Sequence, residues 1–247
     1  QAGLVLTAEY SDLWKEDKKT ETNEVMFALQ HSAKHKIASN YGKSYYPSDY
    51  SPNAGWADYY GNEDFFKAYP NDDRKEWNYM TEWKIKSGEI IPYTESADKL
   101  PAISKYYDYD EGAPGKSAQS NGITCIYRYA EVLLMYAEAS TRATNSVNQD
   151  ALNAIQEVQK RAGYQDRQIE LTTTTEPTAF LAAVSNERGW EFFAEMKRWF
   201  ELVRLEKVKE VRAEEWDAST FNTNHHYYFP VPYQQVDLAG WTNNAGY

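Results

Sequence analysis

The sequence is poor in the residues that carry most metal and nucleophile chemistry. Its 247 residues hold one cysteine, Cys125, and four histidines. A single cysteine excludes a disulfide within the chain and leaves the redox compartment unreadable. His225 and His226 are adjacent, a poor spacing for one ion, and no other His or Cys is near them in sequence, so neither a metal nor a cofactor is expected. No Gly-rich phosphate loop, Gly-x-Ser-x-Gly elbow or His-Glu-x-x-His pattern occurs, which leaves nucleophilic catalysis without a residue set. Long apolar runs are missing too: nothing approaches the ~20 apolar residues of a membrane-crossing helix, and the folded part is expected to be soluble. Positive charge is in deficit, with 26 Lys and Arg against 37 Asp and Glu and a formal net charge of −11. Polyanion binding draws most of its affinity from cations set against phosphates, so nucleic acid is excluded as a partner. Neither an initiator Met nor a signal peptide precedes Gln1, which reads as a processed protein or an excised fragment whose export signal or lipid anchor would lie upstream.

Aromatic surface is what the chain has in excess. Aromatics make up 15% of the residues, with Tyr 21 and Trp 8 against Phe 9. Rings with a polar handle suit half-exposed surfaces and stacking on ligands. The length fits one large domain or two small ones, and the organisation reads as a single domain over 1–247, loop-rich over 1–122, helical over 123–215 and extended over 216–247.

In "NEVMFALQHS", Val25, Phe27 and Leu29 alternate with Met26, Ala28 and Gln30, which predicts a short strand. From His31 to about Gly122 regular periodicity fails; a long irregular segment of this kind is functional or disordered, and its many aromatics argue against disorder. Helical order begins near Ile123, where Ile126, Ala130, Leu133, Leu134, Ala137 and Ser140 or Thr141 form one apolar face. Cys125 falls inside that stretch and is expected to be a buried, inert thiol. Asn148 to Ala162 repeats the pattern, with Gly163 placed as a cap, so the two stretches predict an antiparallel helical hairpin. A third helix opens at "TTTTEPTAFLAAVSNER", with a Thr as cap and Pro177 in the first turn, and runs towards Glu195. A fourth is predicted from Lys197 to about Glu215, followed by an extended, ordered tail from His225.

Two stretches are candidates for chemistry. In "NERGWEFFAEMKRWFELVR", Glu187, Arg188, Glu191, Glu195, Arg198, Glu201 and Arg204 fall at spacings of three, four and seven, so opposite charges can meet along a helix face. Among Trp and Phe neighbours several must be partly buried, where an Arg forks two carboxylates between packed elements. A catalytic pair of Glu187 and Glu191, as in a retaining glycosidase, is the alternative; arginines within reach lower carboxyl pKa values and argue against it. The aromatic loop is the better site: Tyr45, Tyr46, Trp56, Tyr59, Tyr60, Trp77 and Trp83 lie among Asn53, Asp58, Asn62 and Asp64, a mixture suited to sugar faces and hydroxyls. The plain alternative makes these rings buttresses of a loop-rich half. Asp108, Asp110 and Glu111 in "YYDYDEGAPGK" lack the rest of a calcium loop and read as an ordinary acidic loop.

The motifs "IYRYAEVLLMYAEAS", "ALNAIQEVQKRAG", "SNERGWEFFAEMKRWFELVRLEK" and "HHYYFPVPYQQVDL" with a terminal "NNAGY" resemble, in the same order, the C-terminal half of the SusD/RagB family of nutrient-binding outer-membrane lipoproteins. "NEVMFALQ" and "NDDRKEWNYMTEW" agree with it, so the resemblance runs from about Asn23 to Tyr247. It implies a mainly α fold, a SusD-like α-α superhelix of tetratricopeptide-like helical pairs with a long irregular aromatic-rich loop region. It also implies a non-catalytic, surface-exposed outer-membrane protein that binds glycans, or in some members peptides, and serves a SusC-like TonB-dependent transporter. Membrane attachment would come from an N-terminal lipid outside this chain. Where many members have Gly after the glutamate of the third quoted motif, this chain has Met196, so the turn there must form without glycine. Outside that family, an α-helical glycoside-processing enzyme or a protein-binding helical-repeat adaptor remains as an alternative.

Overall fold

The structure, a computed structural model, describes residues 3–106, 120–211 and 222–247. They fall into two units, Gln1–Glu195 and Met196–Tyr247. The first unit opens with a helical turn at Tyr10–Leu13, strand β1 (Val25–Gln30) and three short helices, α1 (Tyr41–Tyr45), α2 (Glu63–Ala68) and α3 (Asp73–Asn78). Four short strands follow, β2 (Tyr79–Met80), β3 (Glu82–Lys84), β4 (Ile90–Pro92) and β5 (Ala102–Ile103). Strand β6 (Ile123–Arg128) leads into the long helices α4 (Tyr129–Thr144), α5 (Gln149–Arg161) and α6 (Pro177–Glu191). The strands pair antiparallel in twos, β1 with β6, β2 with β5 and β3 with β4. The fold is mainly α; one core cluster is the contact of α4, α5 and α6 through Ala130, Leu134, Ala137, Ala154, Ile155, Val158, Phe180 and Val184, and a second gathers Tyr10, Leu13, Trp14, Tyr45, Ile103, Tyr106, Ile123 and Cys125.

Strand β1 forms where the alternation predicts it, yet Met26 and Phe27 both face outward. Register shifts against β6 on either side of Phe27 explain this, since a bulge puts consecutive side chains on one face. The helix predicted from Ile123 starts six residues later, at Tyr129. Ile123 to Tyr127 is rich in β-branched and aromatic residues, and pairing with β1 claims that stretch as strand. Cys125 is buried as expected, but in β6.

The helical hairpin holds. Asn145 closes α4 in the left-handed region with φ 48°, Asn148 caps α5 by accepting from Ala151 N at 2.7 Å, and Gly163 follows at φ 83°. The cap of α6 is Glu176 and not a threonine: its carboxylate accepts from the backbone N of Thr178 and Ala179 at 3.0 and 2.6 Å, and those bonds lower its pKa.

In the second unit the predicted helix breaks into α7 (Arg198–Arg204) and α8 (Val208–Val211), with Glu206 left-handed at φ 56° between them; its portion beyond Val211 lies outside the described residues. The tail is no extended loop: it forms α9 (Thr223–His226) and α10 (Tyr233–Ala239), the latter entered from Pro232 and ended by Gly240 at φ 65°.

Ala194 and Met196 are both left-handed, at φ 58° and 61°. The turn after α6 therefore forms by forcing side chains into a region that glycine enters freely. Met196→Gly removes that strain at the cost of a looser unfolded chain, and is expected to stabilise the protein by about 0.5–1 kcal/mol, roughly 1–4 °C in thermal melting.

Candidate functional site

The charged segment of α6 faces inward. Glu187 and Glu191 are both fully buried, and their partners come from distant elements, not from the same helix face. Arg74, at the start of α3, gives Nη1 to Glu187 Oε1 at 2.5 Å and to Glu191 Oε2 at 2.8 Å, while its Nε and Nη2 hold Asp72 at 3.0 and 2.6 Å. Arg128, the last residue of β6, bonds Glu24 at 2.8 Å, Glu195 at 2.8 and 3.1 Å, and both the carboxylate and the carbonyl of Glu191. Arg161 joins Glu24 to Glu191, and the ammonium of Lys105 sits 2.7 Å from Glu195 and over the Trp14 ring at 4.2 Å.

Four cations thus face five carboxylates without solvent. Burial alone would raise every carboxyl pKa; around Glu191 the three guanidiniums outweigh it and hold that carboxyl far below the usual range. Burial wins at Glu187 and Asp72, which are raised, and it drops Lys105 to about 8 despite Glu195. The excess carboxylate of the cluster thereby has a place to take up a proton. Burial outweighs Arg74 at Glu187, so only Glu191 of the two glutamates proposed as a catalytic pair is lowered overall, and burial denies both to any substrate. The cluster is scaffold that ties β1, α3, β6, α5 and α6 together. The same-helix pairing expected from the spacing survives for Arg198 and Glu201, 3.1 Å apart.

The seven aromatic candidates differ in burial: three are buried, two are partly buried and two are exposed. Tyr46 and Trp83 are core residues at 0% and 3% exposure, Tyr46 against Tyr50 at 4.8 Å and Trp83 bonded through its indole N to Asp49 at 2.8 Å. Tyr45 is also buried, stacked on Tyr106 at 6.0 Å, and burial lifts its hydroxyl to about 12. These three rings present no face to a ligand and support the loop. Trp77 stands apart, bonded to Lys105 O at 3.3 Å and lining a cavity of about 290 Å³ with Glu9, Tyr10, Ser11, Asp73 and Glu76. Trp56 and Tyr59, at 50% and 61% exposure, are the open rings, and Tyr60 is half-buried, its hydroxyl on Asp98 at 2.5 Å.

The open rings are held by backbone. Residues 55–59 return along α1, with Trp56 N on Lys43 O at 2.7 Å, Ala57 N on Tyr46 O at 3.0 Å, and Asp58 N on Ser44 O at 2.9 Å. Lys43 Nζ lies 5.1 Å from the centre of the Trp56 ring, and Tyr59 rests on Tyr45 at 5.7 Å. The close return depends on Gly55, where a Cβ would stand 2.0 Å from the Tyr46 carbonyl oxygen. Gly55→Ala is expected to cost about 1–3 kcal/mol in denaturant unfolding and to displace Trp56, read as a change in its fluorescence.

Sequence reasoning missed Glu24, Lys105 and Arg161. Arg128 carried a usable signal, a lone cation inside the apolar run "ITCIYRYAEVLL"; the others carried none, because their partners lie far away along the chain. The acidic stretch with Asp108, Asp110 and Glu111 lies outside the described residues. His225 packs on His226 at 4.5 Å and on Tyr247 at 4.2 Å. Among the described residues no set of His, Cys, Asp and Glu is grouped to hold a metal, and no helix is long and apolar enough to cross a membrane.

Comparison with known proteins gives one consistent result. The model of the SusD family matches residues 78–247. SusD-like protein P2 of Formosa agariphila is 25% identical over 268 aligned positions, covering 99% of this chain and 52% of its own. A SusD superfamily protein of Parabacteroides distasonis superposes with a TM-score of 0.77 at 23% identity, over 99% of this chain and 54% of its own. Surface glycan-binding protein A of Bacteroides thetaiotaomicron, solved in complex with laminarihexaose, superposes with a TM-score of 0.71 at 24% identity, over 99% of this chain and 56% of its own. The chain spans about half the length of the relatives it matches.

Proposed function

Because the chain belongs to the SusD family, we propose that it binds glycans at the cell surface without cleaving them and passes them to a SusC-like TonB-dependent transporter of the outer membrane. In this reading a lipid outside these 247 residues holds the protein at the membrane. The observation that carries it is the pair Trp56 and Tyr59, large rings left open on a backbone-anchored loop beside the buried Tyr45 and Tyr46. An exposed indole offers a flat apolar face to a pyranose ring, and Asp58 and Asn53 stand near it in sequence as hydroxyl partners. Glycan binding named for the relative from Bacteroides thetaiotaomicron supports the same class of ligand. The burial of Glu187 and Glu191 supports a binder over a hydrolase.

Calorimetric titration with laminarihexaose and a panel of soluble oligosaccharides and polysaccharides tests it, each mixture then being separated by chromatography. Heat of binding with the sugar recovered intact is the expected outcome. New, shorter sugars would replace this reading with an enzyme, and binding confined to peptides would replace the ligand class.

A further inference from the structure

Among the described residues four lysines stand over aromatic rings, and in three of them another group of the protein answers the ammonium. Lys15, over Trp77 at 5.7 Å, pairs with Asp12 at 2.7 Å. Lys75, over Phe66 at 4.4 Å, donates to the carbonyl of Tyr69 at 3.1 Å. Lys105, over Trp14 at 4.2 Å, holds Glu195 at 2.7 Å. Lys43 over Trp56 is the exception: no carboxylate or carbonyl of the described residues meets its Nζ. It is half-buried in α1, in a chain with 37 acidic side chains against 26 basic ones. Asp58, exposed on the loop that returns along α1, forms no ion pair with it.

We propose that Lys43 makes the open-ring site selective for acidic sugars, its ammonium taking a carboxylate or sulfate carried by the sugar that stacks on Trp56. This rests on the glycan-binding reading of that site and narrows its ligand class. Lys43 holds Trp56 at both ends, since its carbonyl accepts from Trp56 N at 2.7 Å and its ammonium lies 5.1 Å from the ring centre. Ring and charge are therefore positioned as one unit. A sugar lying on the indole spreads its substituents around the edge of that ring, where an anionic one completes a charge-assisted pair and a neutral hydroxyl gains less. The formal net charge of −11 is no obstacle. It opposes polyphosphates, whose affinity needs many cations at once, whereas one acidic group on a short sugar needs a single cation in the right place.

The test is calorimetric titration with matched pairs of short sugars that share a ring skeleton and differ in charge: trigalacturonate and trimannuronate against their methyl esters, and a sulfated galactan tetrasaccharide against its desulfated form. At least one acidic member should bind about 10-fold or more tighter than its neutral partner, and whether a uronate or the sulfated pair shows it separates carboxylate from sulfate. Lys43→Met, which keeps an unbranched apolar side chain and loses the charge, should bring that ratio close to one, and Lys43→Arg should retain most of it. Lys160→Met removes the same charge from the exposed face of α5 and should leave the ratio unchanged. Equal binding of both members in every pair would overturn the proposal and leave the glycan-binding reading standing, as would a ratio that survives Lys43→Met or falls equally with Lys160→Met. If neither these sugars nor the neutral panel bind, the glycan-binding reading itself falls and takes this one with it.

Discussion

Arg128→Met is expected to remove about 3–5 kcal/mol of folding free energy, a large share of the roughly 5–15 kcal/mol that a domain has. The methionine replaces the stem but not the guanidinium, whose carbon lies 4.5 Å from the centre of the Phe192 ring, so the ion pairs and that stacking contact are lost together. Four buried cations become three against five buried carboxylates, and Glu24, Glu191 and Glu195 each lose a donor. Glu191→Gln works in the other direction, since it removes the excess negative charge and leaves each arginine another carboxylate: Arg74 keeps Asp72 and Glu187, Arg128 keeps Glu24 and Glu195, and Arg161 keeps Glu24. Urea unfolding should therefore find the arginine substitution clearly the more damaging. Equal losses would mean that individual hydrogen bonds, and not charge balance, set the stability of the cluster.

The same cluster shapes the response to acid. Glu191 and Glu195 titrate below the ordinary glutamate value of 4.5 because of their cations, so their contribution is complete above that pH and is lost as pH falls through their folded values. Glu187 titrates above 4.5 because of burial; its contribution is present below that value and is lost as pH rises through its folded one. Its protonation on mild acidification accordingly costs nothing, and acid unfolding is driven by the other two. Arg128 is among the groups that depress both, so Arg128→Met should flatten the acid limb of the stability profile.

Local signals were legible wherever neighbours in sequence decide the structure. The 3.6-residue periodicity of α4 and α5 and Gly163 after the helix come from residues within a turn or two of one another. Legibility ended where a distant partner decides. Ile123 to Arg128 satisfies a helical pattern in isolation, and only pairing with β1, about a hundred residues earlier, makes it a strand. Glu24 reads as an ordinary polar residue until Arg128 and Arg161 converge on it. The aromatic loop was identified as a group, but composition could not sort its rings. Tyr46 and Trp56 are both aromatic residues near glycine or proline; one is buried because the loop closes over it through Gly55, and the other is open because it sits on the outside of that closure.

That division of the rings is what Trp56→Ala examines. An indole exposed on an anchored loop contributes little to folding, so the melting temperature should stay within the range of ordinary surface substitutions, about 0.5 kcal/mol. Its loss should nonetheless weaken glycan binding roughly 10- to 100-fold, about 1.4–2.8 kcal/mol, the scale of a central aromatic anchor. Tyr59→Ala should weaken binding less, because a phenol ring offers less stacking area than an indole. Trp83→Ala is the counterpart: it empties a buried site and breaks the bond to Asp49, so about 3–5 kcal/mol of stability should go, with affinity falling only as far as the fold does. If Trp56→Ala leaves affinity unchanged while the parent chain binds glycan, the binding surface is elsewhere, and the cavity beside Trp77 is the next place to substitute. If it lowers stability and affinity together, the ring belongs to the scaffold of the loop, and its exposure carries no ligand.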